Sequence, residues 1–441
     1  MKSGLRFLMA ATRCEIAELQ QLAHTSELVN VTARLVHGLQ HERGLSNLYL
    51  ATPGEPDSQT LRHQIDECQR MEQALLACFD TLHDQANTQA SAHVGHGARL
   101  FSRIAYVLHG LDALPHLRQR VLQRQWSAPQ ATAAYVKLIA GLLAVVFEAA
   151  DSASDPQVSR LLVAFFNFMQ GKELAGQERA TGAALLAAGK PDAAGQQRLL
   201  HLIESQDRCF QIFNDFAGPG LRQLCVQSQD PMNLAELERM RRLACTTPTS
   251  GALDSGLGPA WFNCCTRRMD ELMAVEIQLA HDLMALCREK IDAAQQDLEG
   301  WDKLQQPPTA HPSATDEDQQ AMVFFDELPD PPLSDTHTLL DTALPPVAGG
   351  HSSQVERSIL QLVREQSLRL QTMGAELDTV RASLTERKLI ERAKGLLMAH
   401  RQLSEVEAHK LMRQTAMNQN RRLSDVAQTV LSMAEMLPPV R

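Results

Sequence analysis

The chain has 441 residues, 44% hydrophobic and 21% charged, enough to bury a core and to divide into two or three domains. Its 42 lysines and arginines stand against 52 aspartates and glutamates, and the net charge of −10 excludes a uniformly basic nucleic-acid binder. The nine cysteines are an odd number with no C-x-x-C spacing, which excludes a disulfide framework and points to a reducing, cytoplasmic setting.

Aromatic residues are only 4%, while Leu, Ala, Gln, Glu and Arg dominate, so an all-α fold is predicted. Met1-Lys2-Ser3-Gly4 does not start a signal-peptide pattern. The longest apolar stretch, near Leu138–Phe147, reads as too short to span a bilayer, so no membrane is expected. Residues 16–302 read as about eight amphipathic helices forming tandem bundles. Their breaks are expected at Thr52-Pro53-Gly54, Trp126–Pro129, Ala188–Pro191, Ala217–Gly220 and Thr246–Pro259.

This zone contains a weak duplication: His41-Glu42-Arg43-Gly44-Leu45-Ser46 through Ala51 recurs as Gln177-Glu178-Arg179-Ala180-Thr181-Gly182 through Ala187. Arginines fall on apolar stripes. Arg43 follows Leu28, Val31, Leu35 and Leu39; Arg179 follows Leu162, Phe166, Met169 and Gly176; Arg241 lies between Leu237 and Ala244. A guanidinium on a buried face needs an anion, supplied either by a neighbouring Glu (Glu42, Glu173 and Glu178 are available) or by a small bound oxyanion. The flat guanidinium fork matches planar oxyanions such as nitrate, nitrite, carboxylate or bicarbonate. Gly44, Ser46, Gly176 and Gly182 are expected to leave a small cavity beside the arginines.

Residues 303–354 hold eight prolines and eight acidic residues against one basic Lys303, and are predicted to be a flexible linker. Its acidic, partly apolar stretch Asp316–Leu328 is a candidate competitor for the basic region downstream. Within residues 355–386, Ile359, Val363, Gln366, Leu370, Met373, Leu377, Val380 and Leu384 keep a four-three spacing. That is the seam of a coiled-coil helix, which predicts a homodimer; the alternative is an amphipathic helix packed on its own domain. From Arg381 to Arg422 ten basic residues face four acidic ones (Glu386, Glu391, Glu405, Glu407), a local excess where a polyanion would bind. No histidine, cysteine or carboxylate spacing suggests a metal site, and no nucleophile–base pairing suggests an enzyme. No cofactor is expected.

The run Arg387-Lys388-Leu389-Ile390-Glu391-Arg392-Ala393-Lys394-Gly395-Leu396-Leu397-Met398, with Leu403–Ala408, Ala416-Met417-Asn418 and Arg421–Ala427, resembles the ANTAR domain, a three-helix RNA-binding module. His41–Ser46 and Gly171–Ala180 resemble the NIT domain, a helical sensor of nitrate and nitrite. The order of sensor, coiled coil and ANTAR domain (387–441) is similar to that of nitrate-responsive transcription antiterminators. The resemblance implies a nitrate or nitrite site on Arg43 and on Arg241, for which Arg239 and Arg242 compete, with Arg179 and Ser46 as further candidates. It also implies leader mRNA hairpins as partners. Lys394, Arg413, Arg421 and Arg422 are then candidate phosphate contacts, and Gln414 and Asn418 candidate base readers. The module's core is predicted from Ile390, Ala393, Leu397, Ala408, Leu411, Ala416, Leu423, Val426 and Val430, with Ser404 and Ser424–Asp425 as helix starts. Two readings compete with RNA binding: an anion-sensing adaptor that signals by protein contacts, and a binder of duplex DNA.

Overall fold

The computed structural model describes residues 2–51, 58–88, 97–153, 155–304, 354–401, 403, 405–419 and 421–434. The expected linker, but for Lys303, Leu304 and Gln354, and Ser404 lie outside the described residues. The described chain is all-α, with twelve helices and no strand among the described residues. In order they are α1 (Lys2–Ala51), α2 (Gln59–Thr88), α3 (Gly97–Leu122), α4 (Ala128–Ser152), α5 (Pro156–Ala187), α6 (Ala193–Phe216), α7 (Pro219–Gln227), α8 (Pro231–Thr246), α9 (Leu257–Leu304), α10 (Gln354–Arg401), α11 (Glu405–Gln419) and α12 (Leu423–Ala434).

The breaks have local causes. Gln130 accepts the backbone N–H of Ser127 at 2.9 Å to start α4. Asp155 before Pro156 caps α5 through the N–H groups of Gln157 and Val158, and Asp230 before Pro231 caps α8 through that of Met232. Neither Asp-Pro start was among the expected breaks. Asp192 caps α6 through Gly195 at 2.8 Å. At the end of α5 the chain turns through Gly189 at φ +65°, the left-handed conformation that favours glycine, and its N–H reaches the Leu186 carbonyl.

The chain forms two compact units. One combines residues 1–18 with 290–374, and in it Leu8 and Met9 pack on Leu298 while Arg369 bonds Glu15 at 2.8 Å. The other combines residues 19–289 with 375–441 and holds every candidate site residue. Its central element is α5, buried along most of its length and packed against α4, α6 and α8. The stripe Leu28, Leu35, Leu39, Arg43 and Ser46 on α1 is buried as its spacing predicts, and so is Leu162, Phe166, Met169, Gly176 and Arg179 on α5.

Three expectations need correction. The helical span Ala128–Asp151 is long and apolar enough to cross a membrane by length and composition, more than the stretch Leu138–Phe147 suggests, because alanines, a glycine and a threonine extend it. Its residues Tyr135, Ile139, Leu142, Val145 and Val146 are buried inside the bundle. The second concerns the seam. Val380 and Leu384 pack against Val163, Phe147, Ile212 and Phe216 of the same chain, so this end of the stripe is covered internally, as in the alternative reading. The side chains of Ile359, Val363, Gln366 and Leu370 lie outside the described residues. Third, the small residues leave no open space where expected. The Trp261 indole lies against Gly182 and donates to the Arg179 carbonyl at 3.1 Å, while guanidinium groups fill the space at Gly44 and Gly176.

Candidate functional site

The two copies of the duplicated segment end the two long helices α1 and α5, at Ala51 and Ala187. Each presents its Arg to the other helix. Arg43, 1% exposed, donates to both carboxylate oxygens of Glu173, at 2.5 and 3.1 Å. The same carboxylate accepts from Gln40 at 3.0 Å and from Gln177 at 3.1 Å. Arg179, 3% exposed, donates only to neutral acceptors: the Thr266 hydroxyl at 2.9 Å and the Gln40 carbonyl at 3.2 Å. Its guanidinium also lies 4.8 Å from the Phe262 ring centroid. The glycines make this crossing possible. A Cβ on Gly44 would sit 2.6 Å from Nη2 of Arg179, and one on Gly176 would collide with the Arg43 guanidinium.

Arg43 takes the Glu173 carboxylate, and among the described residues Arg179 has no bonded carboxylate, with Asp270 and Glu173 acting on it only through space. Burial, and then the Arg43 cation beside it, push the proton affinity of Arg179 down to about 10.

The neighbouring glutamates of the repeat build a second matched pair of clusters. In the first half Glu42 accepts from Arg118 of α3 twice at 2.8 Å and from the Tyr135 hydroxyl at 2.7 Å, and Arg118 also reaches Glu72 at 2.6 Å. In the second half Glu178 accepts from Arg241 of α8 twice at 2.7 Å and from Gln206 at 2.6 Å. Arg241 also bonds Glu238, and Arg268 of α9 donates to Gln206 at 2.9 Å. Both Arg118 and Arg241 are held protonated by these carboxylates against the opposing effect of burial. Of the three competing arginines on α8, Arg241 is the buried one; Arg239 pairs on the surface with Glu236, and Arg242 is exposed.

Of the anion candidates, then, the structure brings Arg43 and Arg179 together and sets Arg241 in the adjoining cluster on Glu178. The Ser46 hydroxyl bonds Tyr135 at 3.3 Å, within the Glu42 cluster. Sequence reasoning missed Arg118 and Arg268. Both lie on apolar stripes (Leu111, Leu114, Arg118, Val121 and Cys265, Arg268, Leu272, Val275), so the signal that found the others reaches them too.

In the C-terminal module Ala393, Met412, Ala416, Val426 and Ala427 form the core, with Leu389, Ile390, Leu397, Leu423 and Val430 packed on it. Ala408 is buried as well. Met412 and Ala427 were not expected there. The last helix starts at Leu423, one residue before Ser424, and Asp425 reaches back to the N–H of Arg422 at 3.3 Å.

Three of the module's basic residues, Arg387, Lys388 and Arg413, are engaged by α5, α4 and α6. Arg387 donates to Asn167 at 2.9 Å and lies 4.6 Å from the Phe166 ring centroid. Lys388 binds Asp151 and faces Phe147, and Arg413 binds Glu204. His409 packs on His201 with ring centroids 5.2 Å apart. Lys394 is buried and paired with Glu391 at 2.8 Å, which takes it off the open surface expected for a phosphate contact. Arg421 and Arg422 are exposed, as are Gln414 and Asn418, which bond each other at 3.0 Å.

The comparisons with known proteins agree with this layout. A family model described as nitrate and nitrite sensing (NIT) matches residues 34–284, and the ANTAR domain model matches residues 378–431, starting inside the stretch read as a coiled coil. A nitrate regulatory protein of Klebsiella oxytoca is 32% identical over 428 residues, covering 96% of this chain and 93% of that protein. A solved structure of the NasR transcription antiterminator aligns with a TM-score of 0.56 at 29% identity, over 98% of this chain and 99% of that one. With a sensor model matching more than half of its length and an ANTAR domain following it, the chain belongs to the NIT family of nitrate- and nitrite-sensing regulators.

Proposed function

We propose that the chain is a one-component, cytoplasmic regulator that binds nitrate or nitrite and, in response, binds leader mRNA hairpins to cause transcription antitermination. The observation that carries the ligand half is the unbalanced charge at the helix crossing: Glu173 is bonded to Arg43, the buried Arg179 beside it donates only to neutral acceptors, and one monovalent planar anion completes the neutralisation. Arg241, on the adjoining Glu178, supports the same crossing from α8. The ANTAR match and the antiterminator likeness support the output half.

In the docked arrangement, Arg387, Lys388 and Arg413 are spent on the sensor's Asn167, Asp151 and Glu204. Anion binding repacks α1, α5 and α9 around Arg43 and Arg179, loosens that docking and frees the basic surface, with Arg421 and Arg422 on phosphates and Gln414 and Asn418 on bases. A homodimer through the Ile359–Leu370 part of the seam would present two modules to a pair of hairpins. The anion acts only through its different affinity for the docked and free states.

The test is hairpin-RNA binding by the full chain, titrated with nitrate against chloride and sulfate, for wild type, Arg43→Ala and Arg179→Gln. Tightening by nitrate alone, lost in both variants, is expected. Nitrate-independent binding refutes the gating. Absence of RNA binding under all conditions favours the adaptor reading.

A further inference from the structure

Two grooves on the outside of the sensor meet at one exposed arginine. Arg34 of α1 lines both, one of about 330 Å³ against Met71 and Ala74 of α2 and one of about 350 Å³ against α9. The larger lies wholly within residues 19–289, and its α9 wall is Met273, Ile277, Ala280, Met284 and Arg288. Ile277 is 59% exposed, so apolar surface stands open to water there. Methionines on such a wall adapt to the shape of an incoming side chain. Arg34 and Arg288 are both exposed, and neither has an ion pair or hydrogen bond among the described residues.

The two helices run antiparallel, since Ser26 meets Cys287 at 3.4 Å and His41 meets Asp270 at 3.1 Å. Arg34 therefore lies level with Ile277 and Gln278, about 15 Å along α9 from Arg288 at a helical rise of 1.5 Å per residue. The groove is an apolar trough with a cation at each end. Of its two acids, Glu276 is bonded to Lys172, and Glu27 stands toward the Arg288 end, which leaves the Arg34 end the more positive.

The chain carries a segment with the complementary pattern. In Asp316–Leu328 the apolar run Met322-Val323-Phe324-Phe325 is preceded by Asp316, Glu317 and Asp318 and followed by Asp326 and Glu327, with no basic residue. Ala321, Met322, Phe325 and Leu328 recur at helical spacing, and on a helix the two acidic groups stand about 14 Å apart, matching the two arginines. The tether is long enough. From Arg288, α9 continues to Leu304, about 24 Å further on, and the chain from Leu304 to Asp316 spans up to about 40 Å when extended.

We propose that residues 316–328 dock in the α1–α9 groove as an amphipathic helix antiparallel to α9. Met322 and Phe325 cover Met273, Ile277 and Met284, Asp326 and Glu327 meet Arg34, and Asp316–Asp318 meet Arg288. The segment then fastens the linker to the sensor and leaves residues 329–353 as the span to the output helix α10.

The test is peptide competition on the full chain. A fluorescein-labelled peptide of residues 314–330 is titrated, by fluorescence anisotropy, into the intact chain and into one whose residues 316–328 are replaced by a Gly-Ser repeat of equal length. The replaced chain is expected to bind the peptide at least tenfold more tightly, because in the intact chain the tethered segment holds the groove at high effective concentration. In the replaced chain, Arg34→Glu and Ile277→Asp, both at exposed positions, are each expected to weaken binding at least fivefold. A peptide carrying Asp326→Arg and Glu327→Arg is expected to recover binding to Arg34→Glu. Equal binding by intact and replaced chains, or indifference to both groove substitutions, overturns the assignment. So does loss of binding in the double variant Arg421→Glu, Arg422→Glu, which would put the segment on the output module. Competition that appears only as the chain concentration is raised would give the groove to a second copy, and overturns it as well.

Discussion

Removing Glu173 tests the electrostatic logic of the sensor most directly. Its carboxylate receives four hydrogen bonds: two from Arg43, one from Gln40 and one from Gln177. In Glu173→Ala the two buried guanidiniums of Arg43 and Arg179 face each other with no carboxylate bonded to either. Breaking a buried pair by removing one partner costs about 3–5 kcal/mol, since the remaining charge stays desolvated. At roughly 2–4 °C per kcal/mol for a domain of this class, melting in chloride should fall by roughly 6–20 °C. The vacated space has the shape of a carboxylate beside a guanidinium fork, so nitrate, nitrite or formate should restore stability. A ligand at a hundred times its dissociation constant contributes about 2.7 kcal/mol, more than half of the loss. The assay is thermal unfolding followed by circular dichroism at matched ionic strength. A loss under about 1 kcal/mol would mean that water already reaches Arg43. Equal rescue by chloride or sulfate would show general screening rather than an oxyanion seat, and either result refutes the reasoning.

Three further outcomes follow from the output face. Asp151→Lys turns the Lys388 ion pair into a repulsion, and nitrate-free RNA affinity should rise by about threefold to tenfold, as befits a partly exposed pair; unchanged affinity in a filter-binding assay would mean that the docking does not restrain the module. His409 is held down to about 4 by burial first and then by Arg208, His201, Lys394 and Arg413, so the docked state binds its proton less well than the free one. Docking is therefore at full strength above the ordinary histidine value near 6.5 and weakens as pH falls toward 4; nitrate-free RNA binding should increase between pH 7.5 and 5.5, and His409→Gln should flatten that slope. Arg421→Ala and Arg422→Ala should each reduce the slope of log affinity against log salt by about 0.7–0.9, and an unchanged slope would remove that residue from the phosphate contacts.

Periodicity made much of this legible. The stripes that carry Arg43, Arg179 and Arg241 are buried, and seven of the residues expected in the C-terminal core, Ile390, Ala393, Leu397, Ala416, Leu423, Val426 and Val430, pack there. What periodicity does not carry is pairing. Arg43 finds its carboxylate 130 positions away and Arg118 finds Glu42 at a separation of 76, and no local pattern encodes which helices cross. The glycines were misread for a related reason. A small residue in a buried stripe marks close approach, but only the partner helix decides whether a cavity, a guanidinium or an indole fills the space. The seam failed in its C-terminal part because a four-three spacing describes any apolar stripe, and here Val163, Phe147 and Phe216 cover it.

The placement of residues along α5 and α6 explains how a small anion could reach the output module. On α5, Phe166 and Asn167 hold Arg387, while Glu173 and Arg179 lie at the crossing with α1 proposed to take the anion. At a rise of about 1.5 Å per residue these groups lie about 9–20 Å apart along one helix. On α6, His201 and Glu204 touch the module, and Gln206 holds Glu178. No relay of side chains is required. In the proposed mechanism the anion neutralises the charge left at the α1–α5 crossing, and the change is accommodated by the helices that also carry the docking contacts. Because those contacts are a few ion pairs and ring stacks rather than a deep apolar core, a shift of a few kcal/mol at the crossing is enough to change the population of the docked state substantially.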